Sequence, residues 1–285
     1  MLIIKTLVRG AYDVQKLRIM MGNRIVGNFK AKLGQAPSEA EDELDADGKK
    51  ILAMLRLSYR KITDGVKVFP NRKKFKGDEV ISEYTELVLV DRYIALEVDE
   101  VKHFRMLENV LEDYPVYTQF LEKVKGCGPA MSGVIISEID ITKCKYSSSL
   151  WAYAGLDVAQ DGRGRSKKKE HLVETAYMDK DGKPATRQGI TFNPFLKTKL
   201  VGVLASSFLR CGPDNTYSKM YYEYKHRIEN HPAHIAKTKG HRHAMALRYM
   251  VKRFLCDLYV AWRKLEGLPV ELEYNEAKLG HRHAA

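Results

Sequence analysis

The chain has 285 residues, of which 45% are hydrophobic and 29% charged, a balance that supports a packed core and excludes wholesale disorder. Lys and Arg total 48 against 36 Asp and Glu, a formal net charge of +12, and no apolar run approaches the roughly 20 residues that a membrane span needs. The four cysteines are scattered with no CxxC pair, which argues against a zinc ribbon and a disulfide scaffold; Met1–Lys5 has no basic region ahead of a long apolar stretch, so no secretory signal is expected and a cytoplasmic protein is.

The first element reads as a helix from Leu2 to Leu33. Ile4, Leu7, Val8, Ala11, Val14 and Leu17 recur at helical spacing, and Gly34 and Pro37 end it. Residues 38–48 are acidic and polar and are expected in a surface loop or a frayed helix start. A short helix around Ile51–Tyr59 follows. Asp64-Gly65 and Pro70-Asn71 then mark turns around a strand-like Val66–Phe69. From Asp78 to about Asp113 a second helical pattern has few breakers, and Pro115 ends it. A helix of this kind packs as a plain hairpin or as the arm of a homo-oligomer through residues 78–113. The expected organisation is a helical N-terminal region over 1–77, a long connector helix over 78–117, a helical domain over 118–270 and a flexible tail over 271–285.

Residues 120–139 read FLEKVKGCGPAMSGVIISEI. An apolar stretch (Phe120, Leu121, Val124) meets Gly126-Cys127-Gly128-Pro129, and a second apolar stretch follows from Met131. This is the pattern of a helix-hairpin-helix. Gly126 and Gly128 permit a tight turn, and Pro129 suits the first turn of the next helix. Backbone amides of such a corner can hold a DNA phosphate, with Lys123 and Lys125 adding charge beside them. An ordinary helical corner has the same pattern.

After the segment LWAYAGL (150–156) comes a loop in which Arg163, Arg165, Lys167, Lys168 and Lys169 are interleaved with Gly164 and Ser166. Glycine and charge keep such a loop at the surface, where it can wrap a nucleic-acid backbone or remain a solvated loop. A β-hairpin turn is expected around Asp181-Gly182 within 177–186. Asn193-Pro194 opens a helix over Phe195–Arg210 that Gly212-Pro213 ends. Further helices are expected over Tyr217–Glu229 and within 237–265. The last has an apolar stripe (Ala244, Leu247, Val251, Leu255, Leu258, Ala261) and a basic face that includes Arg242, Arg248, Lys252 and Arg263. His231, His234, His241 and His243 lie close in sequence, but no HExxH or CxxC accompanies them, so no metal site is assigned.

The charge is uneven. Residues 1–120 carry 20 basic and 19 acidic side chains, whereas residues 121–285 carry 28 and 17. A basic C-terminal part suggests a polyanion partner, most simply nucleic acid.

The run KGCGPAMSGVIISEI, then SLWAYAGL, the basic Gly/Ser loop, ITFNPFLKTKLVGVLASSFLR and GHRHAMALRYMVKRFL resembles the C-terminal domain of the Piv-like, bridge-RNA-guided insertion-sequence transposases. The order matches over about residues 118–265. The resemblance implies a DNA-binding domain that acts in transposition or site-specific recombination, with Ser166 as the nucleophile and with Lys123, Lys125, Gly126, Gly128, Arg163, Arg165, Lys167, Lys168, Lys169, Arg242, Arg248 and Lys252 on nucleic acid. It implies DNA as partner and admits a structured guide RNA. Full members begin with an RNase-H-like domain whose carboxylates bind magnesium. Residues 1–117 show no opening apolar strand that ends in Asp and read as helices, so Mg2+ is expected only if an acidic site exists. The fold expected is mainly α with a small β-hairpin insertion. Three readings stand: a transposase-related enzyme, a non-catalytic DNA- or RNA-binding module, and a cytosolic helical scaffold.

Overall fold

The apolar spacing at the start of the chain is realised as one helix, α1 (Leu2–Lys32). The computed structural model describes residues 2–35 and 45–272. Glu39, Glu41, Asp42 and Glu43 of the acidic segment lie outside the described residues, as does the tail from 273 onward. Asp45 starts α2 (Ala46–Thr63), its carboxylate accepting the Gly48 amide at 2.5 Å. This cap begins the helix well before the expected Ile51.

The expected strand at Val66–Phe69 does not form. These residues have no neighbouring strand to pair with, and Val66, Val68 and Phe69 are exposed. The long helix, α3 (Tyr84–Leu111), starts six residues later than the pattern from Asp78 suggested. The Asp78 carboxylate instead makes a turn by accepting the amides of Val80 (2.9 Å) and Ile81 (2.7 Å) and the Ser58 hydroxyl (2.6 Å). Glu86 then caps α3, accepting the amides of Ser82 (2.9 Å) and Glu83 (3.1 Å).

Thr6–Leu107 forms one compact unit, and the chain from Glu108 onward, with the first residues through Lys5, forms the other. The first unit buries Ile25, Val26 and Phe29 of α1 against Leu52 and Leu55 of α2 and Leu87, Val90 and Tyr93 of α3. The division falls inside α3 because these α3 residues complete that core. Arg56 ties α2 to α3, pairing with Glu97 at 2.5 Å and donating to the Tyr93 hydroxyl at 3.0 Å. No strand occurs among the described residues ahead of Pro115.

The second unit is built around one long helix. In chain order it contains α4 (Pro115–Gln119), α5 (Pro129–Glu138), α6 (Ser147–Tyr153), β1 (Val173–Met178), β2 (Pro184–Gly189), α7 (Pro194–Thr198), α8 (Ala205–Arg210), α9 (Thr216–Glu229), α10 (Pro232–Ile235) and α11 (Lys239–Leu265). A π-helical stretch over Lys199–Leu204 joins α7 to α8, so the expected helix runs through with a locally widened turn. α11 packs along α9 and against α4, α6 and α8. Phe208, Tyr217 and Phe254 form its aromatic core, with Phe208 and Tyr217 stacked at 4.7 Å.

The buried face of α11 is wider than the expected stripe. Ala246, Met250, Phe254, Cys256, Tyr259 and Trp262 join Val251, Leu255 and Leu258, because helices cover it from several sides. Arg263, expected on the basic face, is only 4% exposed. Its guanidinium donates to the carbonyls of Ile141 (3.2 Å), Cys144 (2.8 Å) and Pro269 (2.6 Å).

The β-hairpin forms where expected. β1 and β2 pair antiparallel from Val173 opposite Gly189 to Met178 opposite Pro184. The Asp179 carboxylate accepts the amides of Asp181 (2.9 Å) and Lys183 (2.8 Å) across the turn, and Gly182 takes φ +74°.

The glycine corner also forms, but with a shorter approach than expected. Phe120 leaves helical geometry at φ −130°, ψ −64°, so α4 and one 3-10 turn (Leu121–Lys123) replace a continuous helix. Gly126 has φ +100°, and a Cβ there would lie 2.9 Å from Phe208 Cδ1 and 3.1 Å from Cys211 Sγ. Both the backbone strain and the crowding oppose a side chain. Gly126→Ala is expected to cost about 2–4 kcal/mol, read as a lowered midpoint in urea unfolding. An unchanged midpoint would contradict this packing.

Candidate active site

The basic loop after α6 is ordered by its own backbone. Val158 and Gly164 form an antiparallel bridge, Ala159 donates to the Arg163 carbonyl (2.7 Å), and Arg165 donates to the Asp157 carbonyl (3.1 Å). Gly162, at φ +74°, makes the turn. The Asp161 carboxylate accepts the Arg163 amide at 2.9 Å. Arg165 folds back to pair with Asp157 at 2.6 Å. Beyond Ser166 the chain makes one 3-10 turn (Lys169–His171) that brings His171 back towards the serine.

Ser166, His171 and Asp161 make a line of hydrogen bonds. Ser166 Oγ lies 2.8 Å from His171 Nδ1, and His171 Nε2 lies 3.2 Å from Asp161 Oδ2. The Ser166 amide also donates to Nδ1 at 2.9 Å, and Ser166 Oγ accepts the Lys168 amide at 3.3 Å. An amide can only donate, so Nδ1 must present its lone pair and the ring proton must sit on Nε2, facing Asp161. The His171 side chain is 2% exposed, whereas Asp161 stands at the surface. The Arg163 amide, and then His171, hold the Asp161 carboxyl below its ordinary value.

Cations crowd the same loop from beneath. Arg248 of α11 packs on Gly164 so closely that a Cβ there would fall 1.5 Å from its Nη1. A side chain at this position would displace that guanidinium. Lys197 of α7 donates from Nζ to the Arg165 carbonyl. Lys252 of α11 sits 5.1 Å over the Trp151 ring of α6. Burial pushes Arg248 and Lys252 below their ordinary values, and it does the same to Lys197 with help from neighbouring Arg248; Asp157 opposes the shift at both lysines. Arg165, Lys197 and Lys252 thus gather around the carboxylate of Asp157, and Arg248 adds its charge beside the two lysines. Such a group carries excess positive charge in a partly dry place, where an anion would relieve it.

Two of these cations, Arg248 and Lys252, border a cleft of about 220 Å³ between the loop and the helices. Leu156, Val158 and Met245 give it an apolar side, and Arg248, Lys252 and Lys237 a cationic one. Tyr249 and Tyr224 also line it, stacked at 4.2 Å with 9° between their planes, and Arg227 lies 4.9 Å from the Tyr224 ring. Aromatic and cationic walls together suit a nucleotide, whose base stacks while its phosphate pairs.

The local sequence explains why the site is held. Asn193 caps α7, its side chain accepting the Leu196 amide at 3.0 Å. The same side chain donates to Glu138 of α5 (2.6 Å) and to the Tyr153 hydroxyl of α6 (3.1 Å). One residue therefore fixes the helix carrying Lys197 against two others.

The residues expected on nucleic acid fall into distinct settings. Arg248 and Lys252 line the cleft, and Arg165 and Ser166 lie on the loop whose Gly162 and Gly164 border it. Arg163, Lys167, Lys168 and Lys169 are exposed on the loop above it. Arg242 is half-buried and donates to the carbonyls of Ile235 (3.2 Å) and Lys237 (2.5 Å), which braces the turn before α11. Lys123, Lys125 and Gly128 are exposed at the glycine corner, which rests on α8 through Phe208 and is tied by Asn215 Nδ2 to the Lys125 carbonyl at 3.0 Å. His171, Asp161 and Lys197 escape a reading of the sequence alone. Their one signal is proximity in sequence: His171 lies five residues after Ser166 in a glycine-containing loop, and Lys197 four after Asn193.

The neighbouring histidines lie close, with the His231 and His234 rings 5.3 Å apart, but they do not make a metal site. His243 meets the Tyr221 hydroxyl at 2.5 Å, and His234 meets Lys237 at 2.9 Å. Among the described residues no three His, Cys, Asp or Glu side chains are placed to hold a metal ion, so none of them fits the magnesium site that the resemblance brings with it. No described helix is long and apolar enough to cross a membrane. Comparison with protein-family models and with curated proteins finds no match to this chain.

Proposed function

We propose that this chain is a DNA-binding protein of the serine transposase or recombinase type, with Ser166 as its nucleophile. The observation that carries the reading is the half-buried cation group (Lys197, Arg248, Lys252) set directly beneath the loop that presents Ser166. A phosphodiester carries negative charge that builds on its oxygens as a hydroxyl attacks, and fixed cations stabilise that charge. The exposed Lys167–Lys169 run and the corner lysines Lys123 and Lys125 extend the basic surface and suit backbone contacts without sequence readout.

The reaction follows from these parts. The DNA backbone lies along the loop, one phosphate meets Arg248 and Lys252, and Ser166 Oγ attacks its phosphorus. A seryl phosphodiester forms, and one DNA strand is released. A hydroxyl of a second strand then attacks the same phosphorus and frees Ser166. Incubating the protein with supercoiled plasmid and magnesium is expected to give a protein–DNA adduct that survives denaturant and is absent in Ser166→Ala. DNA binding that falls steeply with salt but yields no adduct would make the chain a non-catalytic binding module. A flat salt response would remove nucleic acid from its function altogether.

A further inference from the structure

We infer that His171 is the general base for Ser166, and that Asp161 is the positioning residue that orients it. The inference deepens the proposed reading of Ser166 as a nucleophile and rests on it. A serine hydroxyl is a weak nucleophile until a neighbouring base takes its proton. His171 Nδ1 is 2.8 Å from Ser166 Oγ, within the reach that proton transfer needs. The ring's other nitrogen faces a carboxylate at 3.2 Å, which fixes the tautomer and stabilises the imidazolium that forms.

The competing account is a structural staple, in which His171 merely accepts the Ser166 amide. A staple needs one acceptor for one amide. It gives no reason for the hydroxyl to point at the same nitrogen, or for an acid to face the other. The amide bond is nonetheless informative. It holds Nδ1 unprotonated in the resting state, which is the form a base requires. When Nδ1 takes the proton it gives up its hydrogen bond from the amide, and the ion pair with Asp161 offsets that cost.

The step balances without an added reactant. The Oγ–H bond breaks and its proton moves to His171 Nδ1, while an oxygen lone pair forms the Oγ–P bond. The P–O bond to the departing strand breaks, and that oxygen takes the proton from Nδ1. The second strand's hydroxyl reverses the sequence, giving its proton to Nδ1 as the Oγ–P bond breaks and Oγ recovers it.

A fluorophosphonate probe tests this step on the full chain without DNA, because Oγ attacks its phosphorus and fluoride leaves. The wild-type protein is expected to be labelled at Ser166, read by peptide mass spectrometry. His171→Ala should slow labelling about 100-fold or more, and free imidazole should restore part of the rate. His171→Asn keeps an acceptor for the Ser166 amide but no base, so it should lose labelling while keeping the thermal midpoint. Asp161→Asn should slow labelling about tenfold, with partial recovery in Asp161→Glu. Full labelling of His171→Asn overturns the proposal and leaves Ser166 as a nucleophile without this base. Labelling that depends on His171 in a protein that forms no DNA adduct keeps the proposal and removes strand transfer. A wild-type chain with neither label nor adduct overturns both.

Discussion

Removing the charges of Arg248 and Lys252 together is expected to weaken binding to duplex DNA by about 100-fold or more, at roughly 1.5–3 kcal/mol for each charged hydrogen bond. The plot of log affinity against log salt should also become shallower by about two, one for each phosphate no longer neutralised. The reason is their setting. Both are half-buried, Lys252 rests on the Trp151 ring and shares the Asp157 carboxylate with Lys197 and Arg165, and Arg248 packs on Gly164 of the loop. Charges in such a place are screened less than surface charges and act more strongly on an incoming anion. Burial disfavours both cations in the free protein, and a thermal midpoint unchanged in the double variant separates lost binding from lost folding. Lys168→Ala supplies the contrast, since an exposed charge on the same surface is more strongly screened and should weaken binding less than either cleft cation. Fluorescence anisotropy on a labelled duplex across a salt series decides between them. Equal slopes for wild type and the double variant would mean that no phosphate enters the cleft.

The sequence makes part of this site legible and hides the rest for a definable reason. Clustered charge between glycines can be read directly, so Arg163 to Lys169 and Ser166 stand out. Arg248 and Lys252 are visible as basic positions on a helix. What cannot be read is which bases face one another. Arg248 reaches Gly164 across 84 positions of chain, and Lys197 reaches Arg165 across 32. His171 is hidden because a histidine after three lysines and a glutamate resembles solvated loop. Only the 3-10 turn at Lys169–His171 returns it to Ser166.

Elements are more legible than their ends and their neighbours. Helix punctuation works where the side chain that caps is also the residue type that predicts a cap, as at Asn193. It fails at Asp78, where the same chemistry makes a turn rather than a helix start. Val66–Phe69 has the composition of a strand, but pairing is a property of two segments and no partner lies nearby. Arg263 shows the same limit for burial. Charge predicts exposure unless the fold supplies acceptors, and the acceptors here are backbone carbonyls far away in sequence.

Arg263→Leu is accordingly expected to be among the most destabilising single changes in the second unit. The leucine fills space but leaves the Cys144 carbonyl without the donor it now has, in a region where Arg263 itself is almost fully buried; the Ile141 carbonyl keeps only the Cys144 amide at 3.1 Å. A buried acceptor left unsatisfied costs about 1–3 kcal/mol, and the charged hydrogen bonds to Ile141 and Pro269 go as well. A destabilisation of about 3–5 kcal/mol follows, a fall of roughly 10 °C in Tm for a unit of this size. The effect should spread along one structural line. Arg263 joins the end of α11 to the chain before α6, where the Tyr259 hydroxyl also donates to the Lys145 carbonyl at 2.5 Å. α6 in turn carries Trp151 beneath Lys252. Arg263→Lys keeps the charge but gives up the planar fork that reaches several carbonyls at once, so it should recover only part of the stability. Differential scanning calorimetry on the three proteins checks the order wild type, Arg263→Lys, Arg263→Leu. If the leucine variant melts with the wild type, those carbonyls have found other donors and the guanidinium is not what fastens α11 to α6.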